Sequence, residues 1–137
     1  MTWREIIRDF IPQSPLVRHL GIQVKRLDPD LAELVLPYRP ELATMGDVVH
    51  GGAIATLIDT TAMATAWAHD EQAPASATGS TVSMTVEYVE AARGGDLLAT
   101  GTPVRRGRNI CFCDVTVTEP PGERVVAKGL AVYRFTR

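Results

Sequence analysis

One carboxylate stands alone in a long apolar stretch of this sequence. Asp59 is the only charged residue between His50 and His69. A buried, isolated carboxylate costs on the order of several kcal/mol unless a partner stabilises it. Held at the wall of a cleft, a carboxylate can act as a nucleophile or as a base that activates water, so Asp59 is a candidate catalytic residue. The alternative is that Asp59 faces a gap open to solvent or caps a neighbouring loop.

A histidine and two glycines, His50, Gly51 and Gly52, precede this stretch. Glycines at the start of a helix let another molecule approach backbone N–H groups that lack a partner within the helix and carry the positive end of its dipole. Such groups can polarise the carbonyl of a thioester and stabilise its oxyanion. The alternative is a loop-to-helix junction that needs glycine for its backbone conformation. Asp59, eight residues after Gly51, favours the catalytic interpretation.

The element that must position these groups is a long helix, which we predict over residues 51–69. It is apolar on nearly all sides and contains six alanines. A helix without a polar face is surrounded by other elements, and small side chains let a sheet approach it closely. We therefore expect this helix at the centre of the domain.

Strands are predicted on both sides of the central helix, and a short amphipathic helix with a Thr2–Glu5 capping box begins the chain. Two strands precede the central helix and four follow it, at residues 22–28, 31–36, 81–90, 96–104, 110–118 and 125–135. A single helix and an antiparallel sheet must bury each other's apolar faces. The order predicts one α+β domain over residues 1–137, with a curved antiparallel sheet of about six strands around the helix.

Composition limits the partners and the compartment. A formal net charge of −2 gives no positive field for nucleic acid or an anionic membrane. The stretch 51–68 contains Asp59 and four threonines and is short for a membrane span, and no signal segment is expected at the start of the chain. Cys111 and Cys113 lie two apart in a predicted strand, an awkward geometry for a disulfide, so we expect both reduced and the protein cytoplasmic.

The run from His50 to Thr60, HGGAIATLIDT, resembles the H-G-G-x-x-x-x-L-x-D/E motif of hotdog thioesterases, most closely of the PaaI-like branch named for phenylacetate degradation. The resemblance extends to Leu20-Gly21-Ile22, Val86-Glu87-Tyr88 and the Arg93-Gly94-Gly95 turn. It implies a hotdog fold and hydrolysis of acyl-CoA with no metal and no cofactor, since coenzyme A is part of the substrate. It also implies a homo-oligomer, at least a dimer and often a tetramer.

The resemblance also implies roles for single residues. Asp59 matches the catalytic acid that attacks the thioester or activates water, and Gly51 matches the residue whose N–H polarises the carbonyl. His50 matches a residue beside the thioester. Thr81 matches a Ser/Thr position that hydrogen-bonds the attacking water, although an ordinary strand threonine is the alternative.

One position departs from the family pattern. The family often has Asn or Gln in the loop before the motif, whereas this sequence has Thr44 there when counted back from His50, or Ala43 when counted from Gly46. Neither residue is an amide. The contribution of this loop to catalysis is therefore left open.

Two groups of residues are predicted to bind the substrate. An aryl-acetyl or a short- to medium-chain fatty acyl group is expected beside Met63 and Trp67, with Gly52 near the thioester. A basic cluster is expected to meet the phosphates of coenzyme A through paired N–H donors: Arg93, Arg105, Arg106 and Arg108. For each single arginine the alternative is a solvated hairpin tip.

The spacing of Gly51 and Asp59 predicts an active site shared between two subunits. Eight residues of helix separate them by about 12 Å, whereas a reacting carbonyl needs its oxyanion donor and its attacking group each within roughly 3–3.5 Å. Two antiparallel helices in a symmetric pair supply both groups. The rival interpretations are a hotdog dehydratase or hydratase, whose His and carboxylate motifs we do not find, and a non-catalytic protein that binds acyl-CoA or another apolar ligand.

Overall fold

The computed structural model describes residues 1–121 and 123–136. Three helices are present, α1 (Trp3–Phe10), α2 (Pro15–Leu20) and α3 (Gly51–Trp67), together with two short 3-10 turns at Ile11–Gln13 and Pro40–Leu42. The strands are β1 (Gln23–Asp28), β2 (Leu31–Leu36), β3 (Ala43–Met45), β4 (Val48–Val49), β5 (Thr78–Tyr88), β6 (Leu97–Arg106), β7 (Ile110–Glu119) and β8 (Arg124–Thr136).

Six of the strands form one antiparallel sheet in the order β1-β2-β6-β7-β8-β5. All six predicted strands are present, with ends shifted by at most three residues. The sheet and α3 confirm the predicted α+β hotdog architecture. β5 lies at the edge of the sheet, so one side of its backbone has no partner strand among the described residues.

The segment 38–49, predicted as a loop, contains more structure than expected. β3 and β4 pair with each other as a small hairpin, and Gly46 at its turn has a φ of 58°, a conformation that glycine adopts without strain. Backbone hydrogen bonds from Val49 to Ala92 and from His50 to Leu42 tie the hairpin to the body of the protein. These bonds fix the position of His50, the residue that precedes α3.

α3 packs closely against the concave face of the sheet, as its alanines predict. Two sheet glycines make this approach possible. A Cβ atom on Gly101 would lie 2.1 Å from the Thr65 hydroxyl, and one on Gly129 would lie 2.5 Å from the Ile58 side chain. The helix ends at Trp67, two residues earlier than predicted, because Ala68 leaves the helical conformation with a ψ of 63°.

The threonines of α3 do not need partners outside the helix. Each hydroxyl donates to the carbonyl four residues earlier, at Thr56, Thr60, Thr61 and Thr65. This arrangement satisfies the hydroxyls within the helix itself, so polar residues can occur in an enclosed helix at little cost.

The N-terminal segment closes one end of the central helix. The predicted capping box is present: Thr2 and Glu5 exchange hydrogen bonds at the start of α1. Trp3 is fully buried, with its ring 4.8 Å from that of Trp67 and 4.9 Å from that of Phe135. No helix in the described part of the chain is both long and apolar enough to cross a membrane.

The two cysteines are both buried and free. Their Sγ atoms lie 3.7 Å apart on the concave side of β7, and the Cys113 thiol also lies near the Ala62 carbonyl of α3. Neither forms a disulfide, as predicted.

Candidate active site

Asp59 meets its partner at the edge of the sheet. The Thr81 hydroxyl of β5 donates a hydrogen bond of 2.6 Å to one carboxylate oxygen of Asp59. Within residues 1–121 and 123–136 no other hydrogen bond or ion pair reaches this carboxylate. Asp59 is half-buried rather than fully enclosed, because β5 covers it from one side only. The carboxylate is therefore held in place and still accessible, as a nucleophile or base must be.

The N-terminus of α3 presents one free backbone donor. His50 caps the helix, and its Nδ1 accepts a hydrogen bond of 2.8 Å from the Gly52 N–H. The Gly51 N–H has no acceptor in the part of the chain that the structure describes. It points out of the first turn of the helix, where the dipole is positive. Of the two glycine N–H groups, Gly51 therefore has the one available to an oxyanion.

Each of the two glycines lies against an aromatic ring, which explains why both positions lack a side chain. A Cβ atom on Gly51 would lie 3.2–3.3 Å from the Tyr88 side chain, and one on Gly52 would lie 2.9 Å from Nδ1 of His50. The Tyr88 hydroxyl donates a hydrogen bond of 2.8 Å to the Gly51 carbonyl. Tyr88 is a site residue that the sequence analysis missed; an aromatic residue in an alternating strand signals packing and not a specific contact.

The predicted catalytic residues form two separate groups within one chain. Asp59 and Thr81 lie together, and His50, Gly51 and Gly52 lie together with Tyr88. α3 is helical without interruption from Gly51 to Trp67, so the two groups are separated by about 12 Å along its axis. One chain does not bring the free Gly51 N–H to the Asp59 carboxylate.

An apolar cavity lies farther along the face of α3 that carries Asp59, although Asp59 is not among the residues that line it. Asp59, Met63 and Trp67 are spaced four residues apart and therefore share one face of the helix. Met63 and Trp67 line a cavity of about 280 Å³ together with residues of α1, of the start of β5 with the residue before it, and of β8: Ile6, Ile7, Phe10, Ala77, Thr78, Gly79 and Tyr133. The two predicted acyl-binding residues thus border one apolar space.

Tyr133 forms the inner wall of this cavity. It pairs with Thr81 across β8 and β5, and its hydroxyl accepts a hydrogen bond of 2.9 Å from the Trp67 indole N–H. Burial is the main reason why the pKa of Tyr133 is raised above its ordinary value, so the phenol is neutral. Tyr133 was also missed from the sequence, because its contact with Trp67 joins residues 66 positions apart.

The arginines predicted as one basic cluster do not lie together. Arg106 ends β6 and Arg108 lies in the turn that follows, whereas Arg93 precedes β6 at its other end. The ten residues of β6 span about 33 Å. Arg93 instead has a guanidinium nitrogen 3.7 Å from Asp47 and a backbone N–H bonded to Glu119. The prediction of a single cluster containing Arg93 is therefore wrong.

Arg106 has contacts within the fold. Its guanidinium donates to the carbonyl of Thr65 at 2.8 Å and to that of Pro29 at 2.9 Å. It therefore ties the last turn of α3 to the β1–β2 turn and complements the negative end of the helix dipole. Arg106 and Arg108 also border an open cavity of about 340 Å³ beside His69 and Phe135. Their binding to coenzyme A phosphates stays a prediction.

Two residues are candidates for the loop position where the family often has an amide. Ala43 begins β3 and, with His50 and Gly52, lines a shallow cavity of about 250 Å³ beside the N-terminus of α3. Thr44 is exposed and does not line this cavity. Among the described residues no group of three or more His, Cys, Asp or Glu side chains is placed to hold a metal ion.

Comparison with known proteins agrees with this fold. The thioesterase superfamily profile matches residues 46–126, which include α3 and β5. A Mycobacterium tuberculosis protein named as a candidate esterase is 34% identical over 117 residues, 84% of this chain and 81% of its own length.

Two solved structures show the same fold. A thioesterase family protein from Silicibacter pomeroyi superposes with a TM-score of 0.87 at 22% identity, covering 97% of each chain. The Escherichia coli PaaI protein from the phenylacetic acid degradation operon superposes with a TM-score of 0.83 at 16% identity, covering 98% of this chain and 94% of its own. Because the superfamily profile matches residues 46–126 and the fold is the hotdog fold, this chain belongs to the thioesterase superfamily.

Proposed function

We propose that this protein hydrolyses the thioester of acyl-CoA, with Asp59 as the catalytic carboxylate and the Gly51 N–H as the donor to the oxyanion. One observation carries the proposal: Asp59 is oriented by Thr81 and remains accessible. A site that only binds an apolar ligand has no use for a carboxylate in this position, since it adds a cost of desolvation without a partner on the ligand.

The reaction follows from these groups. In the water-mediated form, Asp59 accepts a proton from water while the water oxygen bonds to the thioester carbon. The negative charge on the carbonyl oxygen is met by the Gly51 N–H. When the tetrahedral adduct collapses, the C–S bond breaks, and the coenzyme A thiolate leaves and takes up a proton. In the direct form, the Asp59 oxygen itself bonds to the carbon and the coenzyme A thiolate is expelled as the C–S bond breaks; water then cleaves the resulting anhydride to the free acid and restores the Asp59 carboxylate. Thr81 keeps the carboxylate oriented in both forms.

The site is completed by a second copy of the chain. The separation of Gly51 from Asp59 along one helix supports a site that two chains share. β5, which carries both Thr81 and Tyr88, lies at the sheet edge, and apolar side chains on and next to it are exposed: Val82 by 56%, Tyr88 by 54% and Val89 by 55%. An exposed apolar edge strand favours association with another strand, and a symmetric pair is the usual form of such association. We propose a homodimer at least, with a tetramer as its doubled form.

The acyl group is proposed to lie in the cavity beside Met63 and Trp67. The stripe from Asp59 to Trp67 is about 12 Å long, which suits a phenylacetyl group or a straight chain of up to roughly eight to ten carbons. The apolar lining favours such a group through burial of its surface. The PaaI-like branch, suggested by the HGG motif, fits the same class of substrate.

The first experiment measures release of free thiol from phenylacetyl-CoA and from straight-chain acyl-CoAs of increasing length. Hydrolysis of at least one of them is expected, with rates falling once the chain exceeds the length of the cavity. Met63→Trp narrows the cavity in its middle and should move the preference towards shorter chains. If no member of the panel is hydrolysed above the rate without enzyme, the proposed activity is wrong.

The second experiment tests the shared site by mixing two inactive variants. Asp59→Asn removes the carboxylate. Gly51→Pro removes the N–H at a helix position that tolerates proline, and it also adds a ring beside Tyr88. Gly51→Ala, which crowds Tyr88 similarly but keeps the N–H, is the control for the proline. After subunit exchange half of the dimers are mixed, and each has one intact site of two, so activity should return to about a quarter of the wild-type value. No recovery after verified exchange would place both groups of each site in one chain.

A further inference from the structure

The peptide group that joins Gly51 and Gly52 is held from both sides by aromatic residues. The Tyr88 hydroxyl donates to its carbonyl at 2.8 Å, and the His50 Nδ1 accepts from its N–H at 2.8 Å. The preceding peptide group is held too, because the His50 carbonyl accepts hydrogen bonds from the N–H groups of Ala53 and Ile54. Both peptide planes on either side of the Gly51 Cα are thus fixed by hydrogen bonds.

This matters because Gly51 carries the free N–H. Glycine has more backbone freedom than any other residue, and the first residue of a helix is prone to fraying. A donor that swings by a few tenths of an ångström loses much of its effect on an oxyanion, since such donors act through being aligned before the reaction begins. Gly51 leaves room for the Tyr88 ring because it has no side chain. For the same reason its backbone is flexible, so a neighbouring side chain is needed to restrain it.

Tyr88 is well placed to be that side chain. It is the last residue of β5, where it pairs with Ala127 of β8, and the backbone N–H groups of the next two residues both donate to the Val126 carbonyl. Its ring lies against Gly51, within 3.2–3.3 Å of the position a Cβ would take there. The Tyr88 hydroxyl therefore reaches the N-terminus of α3 from β5, a strand that β8 holds along its length.

We propose that Tyr88 is a positioning residue for the oxyanion donor: by holding the Gly51 carbonyl, its hydroxyl fixes the direction in which the Gly51 N–H points. This inference rests on the proposed thioesterase function and adds to it a residue that touches neither the thioester nor Asp59. It assigns the His50 ring the matching task on the other side of the same peptide group. The H-G-G motif and Tyr88 then form one unit.

The test is Tyr88→Phe, which removes the hydroxyl and keeps the ring against Gly51. We expect kcat for the best acyl-CoA of the panel to fall about tenfold with KM within twofold of wild type, because alignment of the donor matters most in the transition state. Tyr38→Phe is the matched control, since the Tyr38 hydroxyl makes no hydrogen bond within the described residues. It should leave both kcat and KM unchanged.

A spectroscopic measurement separates positioning from a loss of stability. The same acyl-CoA, carrying ¹³C at the thioester carbonyl, is bound to Asp59→Asn, and its carbonyl stretch is recorded by infrared difference spectroscopy. Hydrogen bonding to Gly51 should lower this frequency relative to free acyl-CoA, and Asp59→Asn/Tyr88→Phe should lose part of the lowering. A merely structural role would shift the melting temperature and leave the carbonyl frequency unchanged.

The outcomes distinguish the two proposals. If wild-type protein hydrolyses acyl-CoA while Tyr88→Phe retains kcat within twofold, positioning by Tyr88 is wrong and the proposed function stands. If kcat falls but the carbonyl frequency does not respond, the hydroxyl acts elsewhere and the inference is again wrong. If wild-type protein hydrolyses no acyl-CoA of the panel, the proposed function fails and this inference fails with it.

Discussion

The central helix carries polar side chains of two kinds, and their hydrogen bonds run in different directions. The four threonines of α3 donate to carbonyls of their own helix, on faces packed largely against the sheet. Asp59 accepts from Thr81, which belongs to another element. A polar residue in an enclosed helix is therefore no sign of function by itself. The informative feature is a polar group whose partner lies outside the helix, on the side that the sheet leaves open.

The variant Asp59→Asn is the strongest test of whether Asp59, unlike the threonines, takes part in catalysis. Asparagine keeps the shape and accepts the Thr81 hydrogen bond through its carbonyl oxygen, but it neither attacks a thioester nor takes a proton from water. We expect kcat to fall by roughly three orders of magnitude or more, with a change in melting temperature of only a few degrees. Hydrolysis within threefold of wild type would remove Asp59 from catalysis.

Thr81 offers the next largest effect. Thr81→Val removes the hydroxyl that orients Asp59 while keeping a β-branched side chain suited to β5. We expect kcat to fall roughly ten- to a hundredfold, because the carboxylate is retained but its orientation is lost. Thr81→Ser keeps the hydroxyl and should restore most of the rate. Equal rates for the valine and serine variants would mean that the hydroxyl has no role in the reaction.

The two arginines at the end of β6 and in the turn that follows should separate stability from binding. Arg106→Met leaves the carbonyls of Thr65 and Pro29 without this donor, so the free energy of unfolding should fall by about 2 kcal/mol. Arg108→Met should instead raise KM for acyl-CoA about threefold and leave KM for the matching acyl-pantetheine unchanged, since the latter lacks the nucleotide phosphates. Denaturation curves and KM values for both thioesters, at low and high salt, measure the two effects.

The smallest effect on activity and stability is expected for a threonine on the side of α3 that packs against the sheet. Thr61 is fully buried, and its hydroxyl bonds only to the Leu57 carbonyl among the described residues. Because that carbonyl keeps its place in the helix, Thr61→Val should change the free energy of unfolding by no more than about 1 kcal/mol and kcat by less than twofold. A large loss of activity from this variant would show that α3 is not divided into a packed side and a catalytic side.

Local patterns predicted most of the fold. The start of α3 at Gly51, the capping box at Thr2 and the six strands, with their ends to within three residues, follow from spacing and alternation within a few neighbouring residues. The early end of α3 at Trp67 does not follow from a local pattern, and Trp67 packs there against rings that are distant in the sequence, those of Trp3 and Phe135. The hairpin formed by β3 and β4 is held by backbone hydrogen bonds to Leu42 and Ala92. Its own sequence gives only a weak indication of two strands.

The geometry of the candidate site follows from sequence spacing only where a motif runs continuously along the chain. The His50-Gly51-Gly52 run and Asp59 lie on one helix, so their spacing alone defines their geometry. Tyr88, Tyr133 and the separation of Arg93 from Arg106 depend instead on which strands are neighbours and how they are registered. Those properties arise from packing of the whole sheet, and no window of the sequence contains them.

The uninterrupted helix between Gly51 and Asp59 has a consequence for enzymology. If one chain contributes half of each site, the rate depends on how many chains are paired, and specific activity falls as the enzyme is diluted below the dissociation constant of the dimer. Saturating acyl-CoA, bound across both chains, then shifts the equilibrium towards the dimer. Progress curves started from dilute enzyme should show a lag that shortens as substrate or protein concentration rises.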